Sequence, residues 1–89
     1  MIIIKQDEKT IINFDDVTKI SINSPIGTND GEFKITAENI LTAEILGYYK
    51  TEKRAKEVLE EITDMYCRCN IEYGSIGYVR NRVYKMPKE

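Results

Sequence analysis

The residues best suited to chemistry lie near the C-terminus, where aromatic rings alternate with cations. Side chains two residues apart share one face of an extended strand. Rings on such a face can stack on bases while cations contact phosphates, as in proteins that bind single-stranded nucleic acid. An acidic patch on a protein partner would fit the same cations equally well. The sequence therefore predicts one candidate binding segment, formed by Tyr78, Arg80, Arg82, Tyr84 and Lys85.

The same segment has a purely structural interpretation. Val79 and Val83 would point inward and close a sheet, while the tyrosines cover its rim and the arginines pair with an acidic helix. Residues 68–88 carry five basic side chains and one acidic side chain, whereas the whole chain has a net charge of −2. Because the rest of the chain is acidic, these few cations are more easily explained by ion pairs within the chain than by binding to a partner.

The candidates for catalysis and metal binding are few. The chain contains no histidine, which excludes Ser–His and Cys–His nucleophile pairs. Asp15 and Asp16 are adjacent, and two carboxyl groups divide acid and base roles only where burial makes them differ in acidity. Cys67 and Cys69 project in different directions from a predicted helix, whereas a structural zinc site takes about four ligands. We therefore expect no enzyme, no metal and no cofactor. Carboxylate chemistry at the aspartates and zinc shared across a dimer are the alternatives.

Length and composition predict a single domain, residues 1–89. The net charge of −2 gives no overall attraction toward nucleic acid or anionic membranes. No apolar run approaches the ~20 residues that a membrane helix needs. Met1–Ile4 is followed at once by charged residues, so the long apolar region of a secretory signal is missing. We expect a cytoplasmic protein with free thiols and no membrane contact.

Six short segments are rich in β-branched residues or alternate apolar with polar residues, which predicts strands. Five of them precede residue 50, and residues 24–31 form the most loop-like stretch between them. The predicted strands are Met1–Lys5, Thr10–Phe14, Val17–Asn23, residues 33–37, residues 41–49 and Tyr78–Met86. The short turns between the first five predict an antiparallel meander.

One helix is predicted from Thr51, a good N-cap, to Asn70, which can end it in a left-handed conformation. Its apolar residues recur at spacings of three and four and form one stripe: Ala55, Val58, Leu59, Ile62, Tyr66 and Cys69. Because such a helix must be covered, we expect an α+β fold with five or six short strands, one long amphipathic helix and a final strand. The main variant is a curled, barrel-like sheet, similar to pleckstrin-homology-like domains, in which the helix normally ends the domain.

Three segments resemble a group of small proteins from Gram-positive bacteria and their prophages. The group shares an I-N-F-D turn, a G-x-Y-x-T-x-x-x-A-x-x-V-L-x-x-I junction between strand and helix, and a closing V-Y-x-M-P. These motifs occupy residues 12–15, 47–62 and 83–87. The resemblance covers nearly the full length and implies a phage or mobile-element setting. It implies no activity and assigns no functional residue.

The small size and the missing catalytic constellations favour a non-enzymatic protein-interaction module. Its binding face is expected on the side of the sheet away from the helix, or along an exposed strand edge that supports self-association. The alternative is nucleic-acid binding through the C-terminal segment defined above, which a steep salt dependence would reveal.

Overall fold

The computed structural model describes the backbone of residues 1–24, 32–76 and 83–89, together with their side chains outside residues 68–76. It contains six strands, one 3₁₀ turn and one helix, which confirms the predicted α+β class. In chain order they are β1 (Ile2–Ile4), β2 (Ile11–Asn13), the 3₁₀ turn (Phe14–Asp16), β3 (Lys19–Asn23), β4 (Phe33–Glu38), β5 (Ala43–Tyr49), α1 (Glu52–Ile76) and β6 (Val83–Lys85).

The strands form two three-stranded sheets. The first sheet has the order β2-β1-β6 and the second has the order β3-β4-β5. The barrel-like variant is therefore wrong, because the two sheets do not close on each other. The 3₁₀ turn explains the division: it interrupts the extended backbone after β2, so β3 starts a new sheet and does not continue the first.

The first sheet joins the two ends of the described chain. β1 pairs with β2 as an antiparallel hairpin, as predicted, and with β6 in parallel, with Ile3 opposite Tyr84. The Met86 N–H donates to the Ile4 carbonyl at 3.0 Å and extends this pairing past the strand. The final strand was predicted, but neither its partner nor the parallel direction was. Residues 78–82 of the predicted strand lie outside the described residues.

The helix begins as predicted and packs against all three strands of the second sheet. The Thr51 hydroxyl accepts a hydrogen bond from the Arg54 N–H at 3.1 Å, which is the expected N-cap contact. Ala55, Val58 and Ile62, from the predicted stripe, have no exposed surface. The helix continues past the predicted end at Asn70 and is described as far as Ile76. An asparagine costs a helix interior only about 0.7 kcal/mol relative to alanine, too little to stop it.

One hydrophobic core joins both sheets and the helix. Its buried members are Met1, Ile3, Ile35, Ala37, Leu46, Tyr49, Ala55, Val58, Ile62, Tyr84 and Met86. The Phe14 ring meets the Tyr66 ring edge-to-face at a centroid distance of 5.0 Å, which ties the 3₁₀ turn to the helix.

A register shift in the β4–β5 pair shapes the surface between the two sheets. Ile35 lies opposite Gly47 and Thr36 lies opposite Ile45, so Leu46 is the extra residue of a β-bulge. Its carbonyl accepts a hydrogen bond from the Gln6 N–H at 2.8 Å. The bulge therefore brings the β1–β2 hairpin against the edge of the second sheet.

Candidate interaction surface

The C-terminal segment that the sequence offered for binding is partly built into the core. Tyr84 is only 7% exposed, and its hydroxyl donates to Glu61 Oε1 at 2.7 Å. Val83, expected to point inward in the structural interpretation, is 53% exposed, so the two faces of this strand are reversed. The prediction that the Tyr84 ring lies on an exposed stacking face is therefore wrong. Tyr78, Arg80 and Arg82 lie outside the described residues.

The other described member of that segment, Lys85, is exposed and engaged in an ion pair. Its Nζ lies 2.6 Å from Glu8 Oε1, and Lys88 Nζ lies 3.0 Å from Glu8 Oε2. Hydrogen bonds from these two ammonium groups, strengthened by their charge, lower the pKa of Glu8 to about 2. The Glu8 backbone takes a φ of 61°, an uncommon value for a non-glycine residue. Lys85 thus serves contacts within the chain.

A single glutamine holds the residues that follow β6. The Gln6 side-chain nitrogen Nε2 lies 3.0–3.1 Å from three carbonyl oxygens, those of Tyr48, Pro87 and Lys88, which share its two N–H groups. The Gln6 Oε1 accepts from the Tyr48 N–H at 2.8 Å. The Tyr49 hydroxyl also donates to the Pro87 carbonyl, at 2.8 Å. We call these contacts of Gln6, Glu8 and Tyr49 with residues 85–88 the tail clamp. Its groups satisfy one another, and the role they indicate is structural.

The tail clamp also decides which strand edges remain open. Gln6 bonds both the N–H and the carbonyl of Tyr48 and covers part of the outer edge of β5. Self-association along β5, one form of the expected edge pairing, is therefore obstructed at this position. The face of the second sheet away from the helix, the other expected location, mixes polar and apolar groups. There Ser21 lies opposite Thr36, and Lys34 lies opposite Tyr48.

The remaining chemical candidates are not assembled into a site. Asp15 and Asp16 are both exposed, and Asp15 Oδ1 lies 3.8 Å from the N-terminal ammonium group. Two carboxyl groups divide acid and base roles at a buried site, and neither of these two is buried. Cys67 is an exposed free thiol, and the Cys69 side chain is outside the described set. Among the described residues, no three or more potential ligands form a group that could hold a metal ion.

The turn between β4 and β5 presents two large aliphatic side chains to solvent. Ile40 is 92% exposed and Leu41 is 88% exposed. Asn39 holds this turn: its Oδ1 accepts from the N–H groups of Leu41 and Thr42, each at 2.8 Å, and from the Thr42 hydroxyl at 3.3 Å. Its own N–H donates to the Thr42 carbonyl at 2.9 Å. We call residues 39–42 the hairpin tip. Its apolar side chains are exposed by a fixed backbone conformation.

A groove of about 190 Å³ runs between the hairpin tip and the first sheet. We call it the tip groove. Its walls are Ile11, Ile12, Asn13, Asp16, Val17, Ala37, Glu38, Asn39, Thr42 and Glu44. Ile11, one of the lining residues, is 66% exposed, and the exposed Ile40 and Leu41 lie in the chain between the lining residues Asn39 and Thr42. Three of the ten lining residues are acidic and none is basic.

This surface was not predicted, because residues 41–49 read as one alternating strand. In the structure β5 starts at Ala43, and Leu41 belongs to the turn. The signal that was present is the pair Ile40-Leu41 directly after Asn39. Two consecutive large apolar residues break strand alternation, and an asparagine side chain commonly bonds the backbone two residues on.

Comparisons with protein-family models, with curated proteins and with solved structures find no match to this chain. In the part of the chain that the structure describes, no helix is long and apolar enough to cross a membrane. The residues of the hairpin tip and the tip groove therefore carry the functional argument by themselves.

Proposed function

We propose that this protein is a non-enzymatic interaction module that binds a protein partner through the hairpin tip and the tip groove. One observation carries the proposal: Ile40 and Leu41 are 92% and 88% exposed on a turn that hydrogen bonds to Asn39 hold in place. Turn tips usually carry small or polar residues. Folding gains nothing from two large aliphatic side chains at this position.

Binding, in contrast, would gain from them. Burying one fully exposed leucine or isoleucine side chain is worth about 1.5–3 kcal/mol. Part of that gain offsets the lost freedom of the two partners, so a small preorganised patch suits a weak or transient contact. Because the turn is already hydrogen-bonded, little further order has to be imposed when Ile40 and Leu41 become buried.

Nucleic-acid binding through the C-terminal segment is the rival proposal. Two of its five residues are already engaged, since Tyr84 lies in the core and Lys85 pairs with Glu8. The remaining three, Tyr78, Arg80 and Arg82, would have to supply stacking and phosphate contacts. Their contribution would appear as binding that weakens steeply with salt.

The test is affinity capture from host lysate after nuclease treatment, with the tagged wild type beside the double variant Ile40→Asp/Leu41→Asp. We expect a stoichiometric protein partner that the wild type retains and the double variant loses. With the purified partner, the double variant should bind roughly tenfold more weakly or worse, the loss of about 1.4 kcal/mol or more.

A matched control is Val83→Asp. It places the same charge on a half-exposed valine of β6, in the first sheet. This variant should keep the partner. Equal retention by the wild type and the double variant would overturn the proposal. So would recovery of nucleic acid in untreated lysate that disappears when Arg80 and Arg82 are replaced by alanine. A dimer that the double variant converts to monomer would identify the partner as a second copy of the chain.

A further inference from the structure

The orientation of β2 toward the tip groove indicates how a partner would lie there. All three residues of β2, Ile11–Asn13, line the groove. Successive residues of a strand point to opposite faces, so a groove lined by three in a row faces the strand's edge. β2 is the outer strand of its sheet and pairs only with β1 among the described strands. Its outward N–H and carbonyl groups therefore border the groove.

The charge of the groove indicates which charge a partner would carry. Glu44 is already paired, with Lys5 Nζ at 3.2 Å. Asp16 and Glu38 make no ion pair with any residue that the structure describes. Two unpaired carboxylates beside an open strand edge complement a segment that carries lysine or arginine.

The size of the groove and the apolar residues near it indicate the other side chains that a partner would carry. A cavity of about 150 Å³ accommodates a benzene molecule, so about 190 Å³ has room for one large apolar side chain. Ile11 lines the groove and is exposed, so it offers an apolar contact there, and the exposed Leu41 lies in the chain between the lining residues Asn39 and Thr42. Peptides that add a strand to a sheet combine main-chain hydrogen bonds with side-chain pockets in this way.

We propose that the partner is an extended segment with alternating cationic and apolar side chains; this inference rests on the proposed function. The segment adds to the free edge of β2, inserts one apolar side chain into the tip groove and presents cations to Asp16 and Glu38. The segment need not be folded beforehand, because the edge of β2 supplies the template for its hydrogen bonds.

The test is selection of binders to the full chain from a display library of short random peptides. We expect enrichment of lysine or arginine alternating with isoleucine, leucine or valine. Addition of a synthetic selected peptide to ¹⁵N-labelled protein should shift the amide signals of Ile11–Asn13 and of the hairpin tip. Methylating alternate backbone nitrogens of the peptide should weaken binding roughly tenfold or more, because a ladder hydrogen bond is removed at each.

The matched variants are Glu38→Lys, inside the groove, and Glu60→Lys, on the exposed side of the helix. Both change the net charge equally, so a charge effect specific to the groove appears only in the first. We expect Glu38→Lys to weaken the peptide roughly tenfold and Glu60→Lys to leave it nearly unchanged. Dispersed amide spectra of both variants would exclude loss of the fold as the cause.

The outcomes separate this proposal from the function on which it rests. Binding that depends on Leu41, is indifferent to backbone methylation and leaves the β2 amides unshifted would overturn strand addition and keep the interaction module. Enrichment of acidic peptides would overturn the assigned charge of the partner. Selected peptides that bind the Ile40→Asp/Leu41→Asp variant as well as the wild type, with shifts elsewhere, would overturn both proposals.

Discussion

The tail clamp and the tip groove lie on the same small molecule, yet their polar and apolar groups are arranged in opposite ways. In the clamp, Gln6 has its amide and its carbonyl bonded, and Glu8 faces two ammonium groups. At the hairpin tip, Ile40 and Leu41 contact mainly water. The clamp satisfies its groups within the chain, whereas the tip leaves apolar surface available. Exposure alone therefore does not identify a binding surface. The better indicator is an exposed apolar side chain that has no contacts within the chain to explain it.

Of the substitutions that test this contrast, we expect the one at Gln6 to lower the free energy of unfolding most. Gln6→Ala removes two N–H donors, shared among three carbonyls, and one acceptor, which together join the first hairpin, β5 and the final residues. At about 0.5–1.5 kcal/mol per bond, and with water replacing some of them, we expect a loss of about 2–3 kcal/mol in the free energy of unfolding. Urea denaturation measures it. The control is Lys9→Ala in the same turn, with a change below about 0.5 kcal/mol, because this exposed side chain makes no hydrogen bond or ion pair with a described residue. A similar loss for both would show that the clamp contributes little.

The next largest effect is expected at Tyr84. Tyr84→Phe keeps the buried ring but removes the hydrogen bond to the Glu61 carboxylate. Because Glu61 is half exposed, water replaces part of that bond, and we expect a loss of about 1–2 kcal/mol by urea denaturation. If Tyr84→Phe caused no measurable loss of unfolding free energy, the Tyr84 hydroxyl would contribute nothing to the stability of the core.

The same substitution changes the alkaline behaviour. Burial, and then the hydrogen bond to Glu61, raises the pKa of Tyr84, and burial raises the pKa of Tyr49 to about 12. Both phenols keep their protons longer when folded, so stability is complete below pH 10 and falls as the pH rises further, where the unfolded phenols ionise. We expect the unfolding free energy of Tyr84→Phe to fall less steeply above pH 10. Thermal melts from pH 8 to 11 measure this.

A smaller effect is expected at Gly47, beside the clamp. A Cβ at this residue would lie 3.1 Å from the Tyr49 hydroxyl and 3.2 Å from Gln6 Cβ and Oε1. Gln6 is bonded on every side and cannot withdraw, so Gly47→Ala should cost about 1 kcal/mol of unfolding free energy. In a Gln6→Ala background the cost should shrink, which a double-mutant cycle measures. Equal costs in both backgrounds would show that the crowding lies elsewhere.

The smallest effect on stability is expected at the hairpin tip. Ile40→Asp and Leu41→Asp, singly or together, should change the unfolding free energy by less than about 0.5 kcal/mol, because neither side chain packs in the fold. Asn39→Ala, which removes the bonds that hold the turn, should cost about 1 kcal/mol more than either. A large loss at Ile40 or Leu41 would mean that the tip is structural, and the contrast with the tail clamp would disappear.

Local patterns in the sequence predicted most of the elements correctly. The period of the helix stripe, the N-cap at Thr51 and the two-residue alternation of β3 and β4 each follow from contacts within a few residues. Their boundaries were less accurate, since β5 begins at Ala43 and not at Leu41. Element ends depend on small energy differences that neighbouring residues alone do not determine.

The candidate site was not predictable in the same way. The alternation of tyrosines and arginines near the C-terminus suggested a binding face, but the pairing of β6 with β1 turned Tyr84 into the core. A strand pattern indicates that two faces differ, and the partner strand decides which face is buried. The tip groove has walls from residues 11–17 and 37–44, and no pattern local to either stretch indicates that they meet.

The sequence by itself determined the α+β class, the helix stripe, the β1–β2 hairpin and the absence of histidine chemistry, because these depend on residue types and short spacings. Only the tertiary structure decided that the strands divide into two sheets, that β6 lies parallel to β1, and that Gln6 covers the edge of β5. The last two of these features join residues about 80 and about 40 positions apart. Their energy depends on packing and hydrogen bonds that exist only after the chain has folded.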